Sequence, residues 1–309
     1  MTVLVTGGAG FIGSNVVDAL VGRGHDVHVL DDLSGGFLKN VPAEATLHRH
    51  DIRSAEARSV LEQIRPEVLF HFAAQMDVRR SVADPIFDAD VNVCGILNLL
   101  EGGRNSGLKK VIFASTGGAI YGDPEFVPQS EDHPLRPVSP YGITKLTTET
   151  YLYYYNKQYG IEYIALRYGN IFGPRQNPHG EAGVVAIFCE RLLADKQAVI
   201  FGSGDQTRDY TFVSDVVAAN LAALDSDATG VFNVGTGVET SVNDLFRILR
   251  DLSGSDMPEE HAPGRPGEQQ RSVLDGSLAK SVLGFSPEYS VREGLAITLD
   301  WFRKNRLSS

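Results

Sequence analysis

The sequence predicts an α/β protein built on a doubly wound parallel sheet with a smaller C-terminal lobe, and three observations carry that expectation. Short uninterrupted apolar runs, VLVT (Val3 to Thr6), LFHFAA (Leu69 to Ala74) and VIFAST (Val111 to Thr116), have the texture of strands covered on both faces. Helical stretches alternate with these runs, the rhythm of parallel strands joined by crossover helices. A glycine-rich turn follows the first strand and opens the first helix.

In chain order, the first strand leads into a helical pattern from Phe11 to Gly22 and then into DVHVLDD, Asp26 to Asp32, a second strand. Ser139 is a fitting N-cap and Pro140 a fitting first helical residue, so a long helix starts there and runs towards Gly160. YIALRYGN, Tyr163 to Asn170, is the strand after it. Past Ile171 the texture changes to FGPRQNPHG, a helix near Val184 to Ala194, GSGDQT and HAPGRPGEQQ, a loop-richer region. The expected division is residues 1–170 for the sheet domain and 171–309 for the smaller lobe, with some late segments returning to the first. A chain of 309 residues has room for both.

Charge narrows the partners. With 28 Lys plus Arg against 39 Asp plus Glu, the net charge of −11 speaks against non-specific binding to nucleic acid or to an anionic membrane. Any anionic ligand must therefore be met by local cations and helix ends. The aromatic run YLYYYNKQY, Tyr151 to Tyr159, lacks basic interleaving, and helix packing is its plainer reading. Cys94 and Cys189 have neither disulfide nor metal-ligand spacing, so no metal is expected and a reducing compartment is. MTVLVTGG has no signal-peptide character and no apolar stretch reaches spanning length, which predicts a soluble cytoplasmic protein.

The turn TGGAGFIG satisfies G-x-G-x-x-G through Gly8, Gly10 and Gly13, and G-x-x-G-x-x-G through Gly7, Gly10 and Gly13. Glycines there permit positive φ and close approach to a pyrophosphate, while the helix start offers amide donors. The second strand ends at Asp31, followed by Asp32, where a carboxylate can accept from both hydroxyls of an adenosine ribose. That charge would repel a 2′-phosphate, so NAD is expected rather than NADP, on a Rossmann-like domain. Asp51 and Ile52, after a third strand, either flank the adenine or form a plain turn.

SPYGITKL places Tyr141 and Lys145 at i and i+4 on one helix face. A free phenol has a pKa of about 10. A neighbouring ammonium, helped by a bound nicotinamide cation, would favour the phenolate and bring that value towards neutrality, making Tyr141 a candidate general base. Lys145 would also bond the nicotinamide ribose. His71, at a strand end, is the weaker candidate and reads as a packed core histidine.

TGGAGFIG, Asp31, HFAA, Asn92 and YGITK together resemble the extended short-chain dehydrogenase/reductase family. Within it, RYGNIFGP, RDYTFVSD, FNVGTG and GRPGE make the chain most similar to the UDP-glucose (UDP-galactose) 4-epimerases over essentially its full length. The resemblance implies NAD held by Gly7, Gly10, Phe11, Ile12, Gly13, Asp31, Asp32, Asp51, Ile52, Phe72, Ala73, Ala74, Asn92, Ser115, Tyr141, Lys145 and Tyr168. It implies a catalytic hydroxyl beside Tyr141 at the end of the preceding strand, with Thr116 favoured by spacing and Ser115 left open.

On the substrate side the resemblance implies that Arg208 and Arg265 clamp a UDP diphosphate, that Asn170 contacts diphosphate or sugar, and that Val199 to Phe201 frame the uracil. It also brings Val78, Glu268 and Ser272 to the sugar nucleotide, Ser272 beside the C2 substituent, where a small residue would admit an N-acetyl group. It implies a homodimer through the tyrosine-rich helix and the helix from Asn92 to Gly103. Related dehydratases carry Asp-Glu after the hydroxyl residue, whereas Gly117-Gly118 stand here, leaving oxidation and re-reduction feasible and elimination without its proton shuttle. The expected activity is 4-epimerisation of a UDP-hexose. Rival readings are a UDP-glucuronate epimerase or decarboxylase, a 4-ketosugar reductase, with Arg79, Arg80 or Arg175 facing a carboxylate, and a non-catalytic NAD-sensing protein.

Overall fold

The computed structural model describes residues 1–179, 183–264 and 269–306. Its strands in chain order are β1 (Thr2–Thr6), β2 (Asp26–Leu30), β3 (Thr46–His48), β4 (Val68–His71), β5 (Lys110–Thr116), β6 (Glu162–Tyr168), β7 (Asn170–Phe172), β8 (Val199–Phe201), β9 (Thr207–Phe212), β10 (Gly230–Val234), β11 (Glu239–Ser241), β12 (Glu260–Ala262) and β13 (Arg271–Ser272). The helices are α1 (Phe11–Gly22), α2 (Ala55–Ile64), α3 (Val78–Ala83), α4 (Pro85–Ala89), α5 (Gly95–Gly103), α6 (Gly117–Ile120), α7 (Pro140–Tyr159), α8 (Val184–Leu193), α9 (Val213–Asp225), α10 (Val242–Ser253), α11 (Ser277–Leu283) and α12 (Val291–Arg306).

Seven strands form one parallel sheet in the order β10-β6-β5-β4-β1-β2-β3. The apolar runs are its centre: all of β4 is buried, as is β5 up to Ser115. One face carries Val5, Phe70, Ile112 and Leu166 against Val16 and Leu20 of α1 and Val216 of α9. The other carries Leu4, Leu69 and Phe113 against Leu61 of α2, Leu99 of α5 and Leu152 of α7. Strand order reverses between β1 and β4, which opens a crevice at their C-terminal ends, the place where open sheets of this kind bind ligands.

The second lobe has its own core of Phe188, Phe212, Phe246, Leu295 and Phe302. It is built on β11-β9-β13 with β7 beside β9, and on the pair β12-β8. Buried Asp209 stitches this lobe together, accepting from Thr236 N at 2.8 Å, Gly237 N at 3.0 Å and Leu274 N at 3.3 Å.

Two strands end differently from their sequence runs. The run from Asp26 stops at Leu30 because the carboxylates of Asp31 and Asp32 turn back to accept from Leu33 N and Ser34 N, closing a turn. The run from Tyr163 to Asn170 breaks at Gly169, where the chain leaves the large sheet for the small one. A Cβ on Gly169 would lie 2.8 Å from the Asp209 carbonyl oxygen, so only glycine permits the crossing. Between α4 and α5 the helix widens into a π turn over Asp90–Cys94, a departure often found beside functional groups.

Candidate active site

The glycine turn between β1 and α1 lies at the crevice. Gly7 has φ +66° and a Cβ there would sit 2.7 Å from Ala73 N, so the turn presses against the chain leaving β4. A Cβ on Gly13 would meet the Gly7 carbonyl oxygen at 2.3 Å, which is why helix and turn can touch. Gly10 caps α1 with no side chain, leaving the first-turn amides of Phe11 and Ile12 facing outward as donors. Buried Asp31 accepts from Ala9 N at 2.9 Å, tying the acidic strand end to the same turn, and burial pushes its carboxyl above the usual range. Asp32 is exposed and spent on Ser34. Phe72, Ala73 and Ala74 are half-buried, with Phe72 N and Ala73 N held by Thr6. These are the features a dinucleotide needs: free helix-start donors, a turn without side chains and a fixed carboxylate beyond it.

The helix expected from Ser139 spans Pro140–Tyr159, with the Ser139 hydroxyl accepting from Gly142 N at 3.1 Å and Gly160 closing it in a left-handed conformation. A Cβ on Gly142 would lie 2.5 Å from the Ala119 carbonyl oxygen, so this glycine lets the catalytic helix begin against α6. Tyr141 is half-buried, its backbone amide donating to Ser81 Oγ at 3.2 Å. Lys145 is buried, with Nζ donating to the Ala114 carbonyl at 2.8 Å and lying 5.7 Å from the centre of the Tyr141 ring.

The phenol of Tyr141 is pushed above its ordinary value, by burial first and by the charge of Asp88 second. Lys145 is pushed down to about 8 by burial, with Asp88 and Glu149 opposing the fall. Burial thus sets the direction at Tyr141, with the Asp88 carboxylate adding to it, while the Lys145 ammonium is seated at the end of β5.

Of the two hydroxyls at the end of β5, Ser115 is buried and donates to Glu149 at 2.5 Å, whereas Thr116 keeps its hydroxyl clear of protein partners among the described residues. A Cβ on Gly118 would lie 3.9 Å from both Thr116 Oγ1 and Asn170 Oδ1, so these two groups share one space at the sheet edge.

The remaining predicted residues are engaged as follows. Asn92 lies in the π turn and its amide is spent on the backbone of Gln75, on Asp88 and on Thr144. Tyr168 is in the core and its hydroxyl accepts from Asn220 at 2.8 Å. Asp51 closes a turn on Arg53 with its carboxylate bonded to that guanidinium, and Ile52 is buried under Gly95. His71 is a core histidine bonded to Thr6 at 2.8 Å.

On the lobe side, the Arg208 guanidinium donates to the carbonyls of Thr207 and Gln269, and Ser272 is buried directly across from Arg208 in register. Val199 is half-buried, Phe201 and Val78 exposed. Arg265 and Glu268 lie outside the described residues. Asp88, Gln75 and the Arg167–Glu149 pair escaped sequence reading.

Residues 3–235 match the NAD dependent epimerase/dehydratase family. A UDP-glucose 4-epimerase of Mycolicibacterium smegmatis is 47% identical over 310 residues, spanning 98% of this chain and 99% of the relative. The crystal structure of a UDP-glucose 4-epimerase from Thermotoga maritima with UDP-glucose superposes with a TM-score of 0.97 at 47% identity, over 99% of this chain and 100% of that one. The Thermus thermophilus UDP-glucose 4-epimerase in complex with NAD does so at 0.93 and 44% identity, over 98% and 99%.

His71 yields a pH prediction. Burial first, and the charge of Lys145 second, lower its pKa to about 3 in the folded chain. A folded value below the unfolded value of about 6.5 gives stability that is complete above that pH and lost as pH falls towards 3. His71→Asn, which keeps a partner for Thr6, should lose less stability than the wild type between pH 7 and pH 4.5, by on the order of 2 kcal/mol. Urea unfolding at the two pH values measures this, and equal losses would refute it.

Proposed function

The chain belongs to the NAD dependent epimerase/dehydratase family, and from that premise we propose that it is an isomerase inverting carbon 4 of a UDP-hexose, UDP-glucose and UDP-galactose being the pair. The observation that carries this reading is the arrangement at the end of β5. There Lys145 donates to the Ala114 carbonyl and lies 5.7 Å from the centre of the Tyr141 ring, Thr116 ends the same strand, and Gly118 beside the Thr116 hydroxyl stands where an acidic partner for elimination would be needed. The similarity to UDP-glucose 4-epimerases over nearly the whole chain supports it.

The residues present fit NAD: Phe11 and Ile12 amides for the diphosphate, Asp31 for the adenosine ribose, Lys145 for the other ribose. The chemistry a bound NAD supplies is reversible acceptance of the hydrogen of the carbon 4 C–H bond with its two electrons. Tyr141 takes the proton of the 4-hydroxyl and later returns it, with Thr116 bonding the same oxygen and keeping it in line. Lys145, charged, favours the phenolate form and fixes the helix turn against β5. Arg208, Arg265 and Asn170 hold the diphosphate while Val199 and Phe201 flank the base, so the hexose, held by few groups, can turn and present either face. Of the cations that could face a carboxylate sugar, Arg175 is paired with Asp18 at 2.6 Å and Arg80 lies on the Phe87 ring. Small, buried Ser272 leaves room at carbon 2, so UDP-N-acetylhexosamines are accepted as well. Tyr151, Tyr153, Tyr154 and Tyr159 are exposed along α7, and we infer that they pair with a second copy in a homodimer.

Incubation of the pure protein with UDP-glucose should yield UDP-galactose without net redox change, and Tyr141→Phe should lower kcat by at least about 100-fold with NAD still bound; a fully active variant removes Tyr141 from the chemistry. Ser272→Tyr should abolish turnover of UDP-GlcNAc while sparing UDP-glucose, and a wild type inactive on UDP-GlcNAc would contradict the pocket assignment. Sedimentation should show a dimer that Tyr153→Glu with Tyr154→Glu dissociates, whereas a wild-type monomer would end the pairing proposal.

A further inference from the structure

Asp88 in α4 is fully buried, yet its three partners are all neutral. Oδ1 accepts from Gln75 Nε2 at 2.9 Å and Asn92 Nδ2 at 3.2 Å, and Oδ2 accepts from Thr144 Oγ1 at 2.8 Å. A buried carboxylate without a compensating charge is strongly unfavourable. The charged and titratable groups around the catalytic helix show where compensation lies. Glu149 of α7 is neutralised by Arg167 of β6, which bonds it at 3.0 and 2.7 Å. His71 of β4 is held neutral by burial. That leaves Lys145, a buried ammonium bonded to the Ala114 carbonyl and without an ion pair among the described residues, next in sequence to the Thr144 that holds Asp88; the charges of Asp88 and Glu149 act on it, and Glu149 is already paired. Thr144, between Tyr141 and Lys145, physically joins the Asp88 carboxylate to the first turn of α7 and also bonds the Tyr141 carbonyl at 3.0 Å.

We propose that Asp88 is the counter-charge of Lys145 and a positioning residue for Tyr141, keeping the ammonium protonated in its buried seat and holding the turn that carries the phenol. Asp88 does not touch substrate; it acts through Lys145 and Thr144. Its charge also opposes phenolate formation, so the same carboxylate that keeps Lys145 charged sets how strongly the phenol resists ionisation. Gln75 and Asn92 complete the seat: Asn92 bonds both the amide and the carbonyl of Gln75, fixing the stretch that follows β4 to the π turn. The inference rests on Tyr141 being the acid–base group.

The test follows Lys145 by 13Cε-lysine NMR across a pH series in wild type, Asp88→Asn and Thr144→Val, with the pH profile of kcat/KM for each. Wild-type Lys145 should be charged at pH 7; a neutral lysine in the folded wild type overturns the proposal whether or not any variant folds. Asp88→Asn should lower the Lys145 midpoint by about one pH unit and move the acid limb of kcat/KM to lower pH. Thr144→Val keeps the charge and removes the tether, so the midpoint should hold within about 0.3 unit while kcat falls roughly tenfold. Equal midpoint shifts in both variants, or none in Asp88→Asn, would show that the carboxylate only packs. An active Tyr141→Phe would instead defeat the functional reading and leave the charge pairing to be judged by NMR alone.

Discussion

The whole site depends on the phase of one helix against one strand. Tyr141, Lys145 and Glu149 recur every fourth residue of α7: Lys145 bonds the Ala114 carbonyl and lies 5.7 Å from the Tyr141 ring centre, and Glu149 bonds both Ser115 and Arg167. Arg167 sits beside Ser115 in the register of β5 and β6, so Glu149 is bonded to two adjacent strands at once. Removing one partner of such a buried pair costs about 3–5 kcal/mol, far more than an exposed pair contributes. Rotation of α7 would strain that pair at the same time as it moved Tyr141, so the ion pair resists any change in the angle at which the helix presents its tyrosine.

The beginning of the helix is constrained as tightly as its middle. Ser139 and Pro140 fix where it starts, and Gly142 permits its first turn to lie against the carbonyl of Ala119. Tyr141 N is held by Ser81 of α3, and Thr144 by Asp88 of α4. The phenol is thus bound through its backbone to elements on one side and through Lys145 to the sheet on the other. Such restraint is what the acid–base role proposed for Tyr141 requires, since a proton must be accepted and returned at nearly one position.

What is legible in the sequence is what is local in the chain. The glycine turn, the acid after the second strand, the capped helix and the Tyr141–Lys145 spacing all depend on residues within a few turns of one another, and the structure places them where the patterns put them. Spacing gives the neighbours of Tyr141 but not its burial, which is the first cause acting on its phenol. Ser115 and Thr116 are not separable by pattern, since the partner that occupies Ser115 lies thirty-four residues away on another element. Asp88 sits in DPIFDADVN, where several acids on a short helix read as a solvated face. Only the meeting of α4, the π turn and α7 shows that one of those acids is inside.

The two glycines after Thr116 illustrate how packing and chemistry can be told apart. A Cβ on Gly117 would meet Leu274 at 2.6 Å, so that glycine is accounted for by the approach of the second lobe, whatever the reaction. Gly118 has no such constraint: the nearest atoms to its Cβ are the Thr116 hydroxyl and the Asn170 carboxamide at 3.9 Å, ordinary contact distance. A Cβ is thus tolerated at Gly118, in ordinary contact with the Thr116 hydroxyl and the Asn170 carboxamide. Its absence is therefore not forced by the fold, and a site that had to expel water would have every steric opportunity to place an acid there. The C-terminal end of β5 keeps a neutral hydroxyl, a neutral carboxamide and open space at Gly118 instead, with no carboxylic acid at that position to protonate a departing hydroxyl.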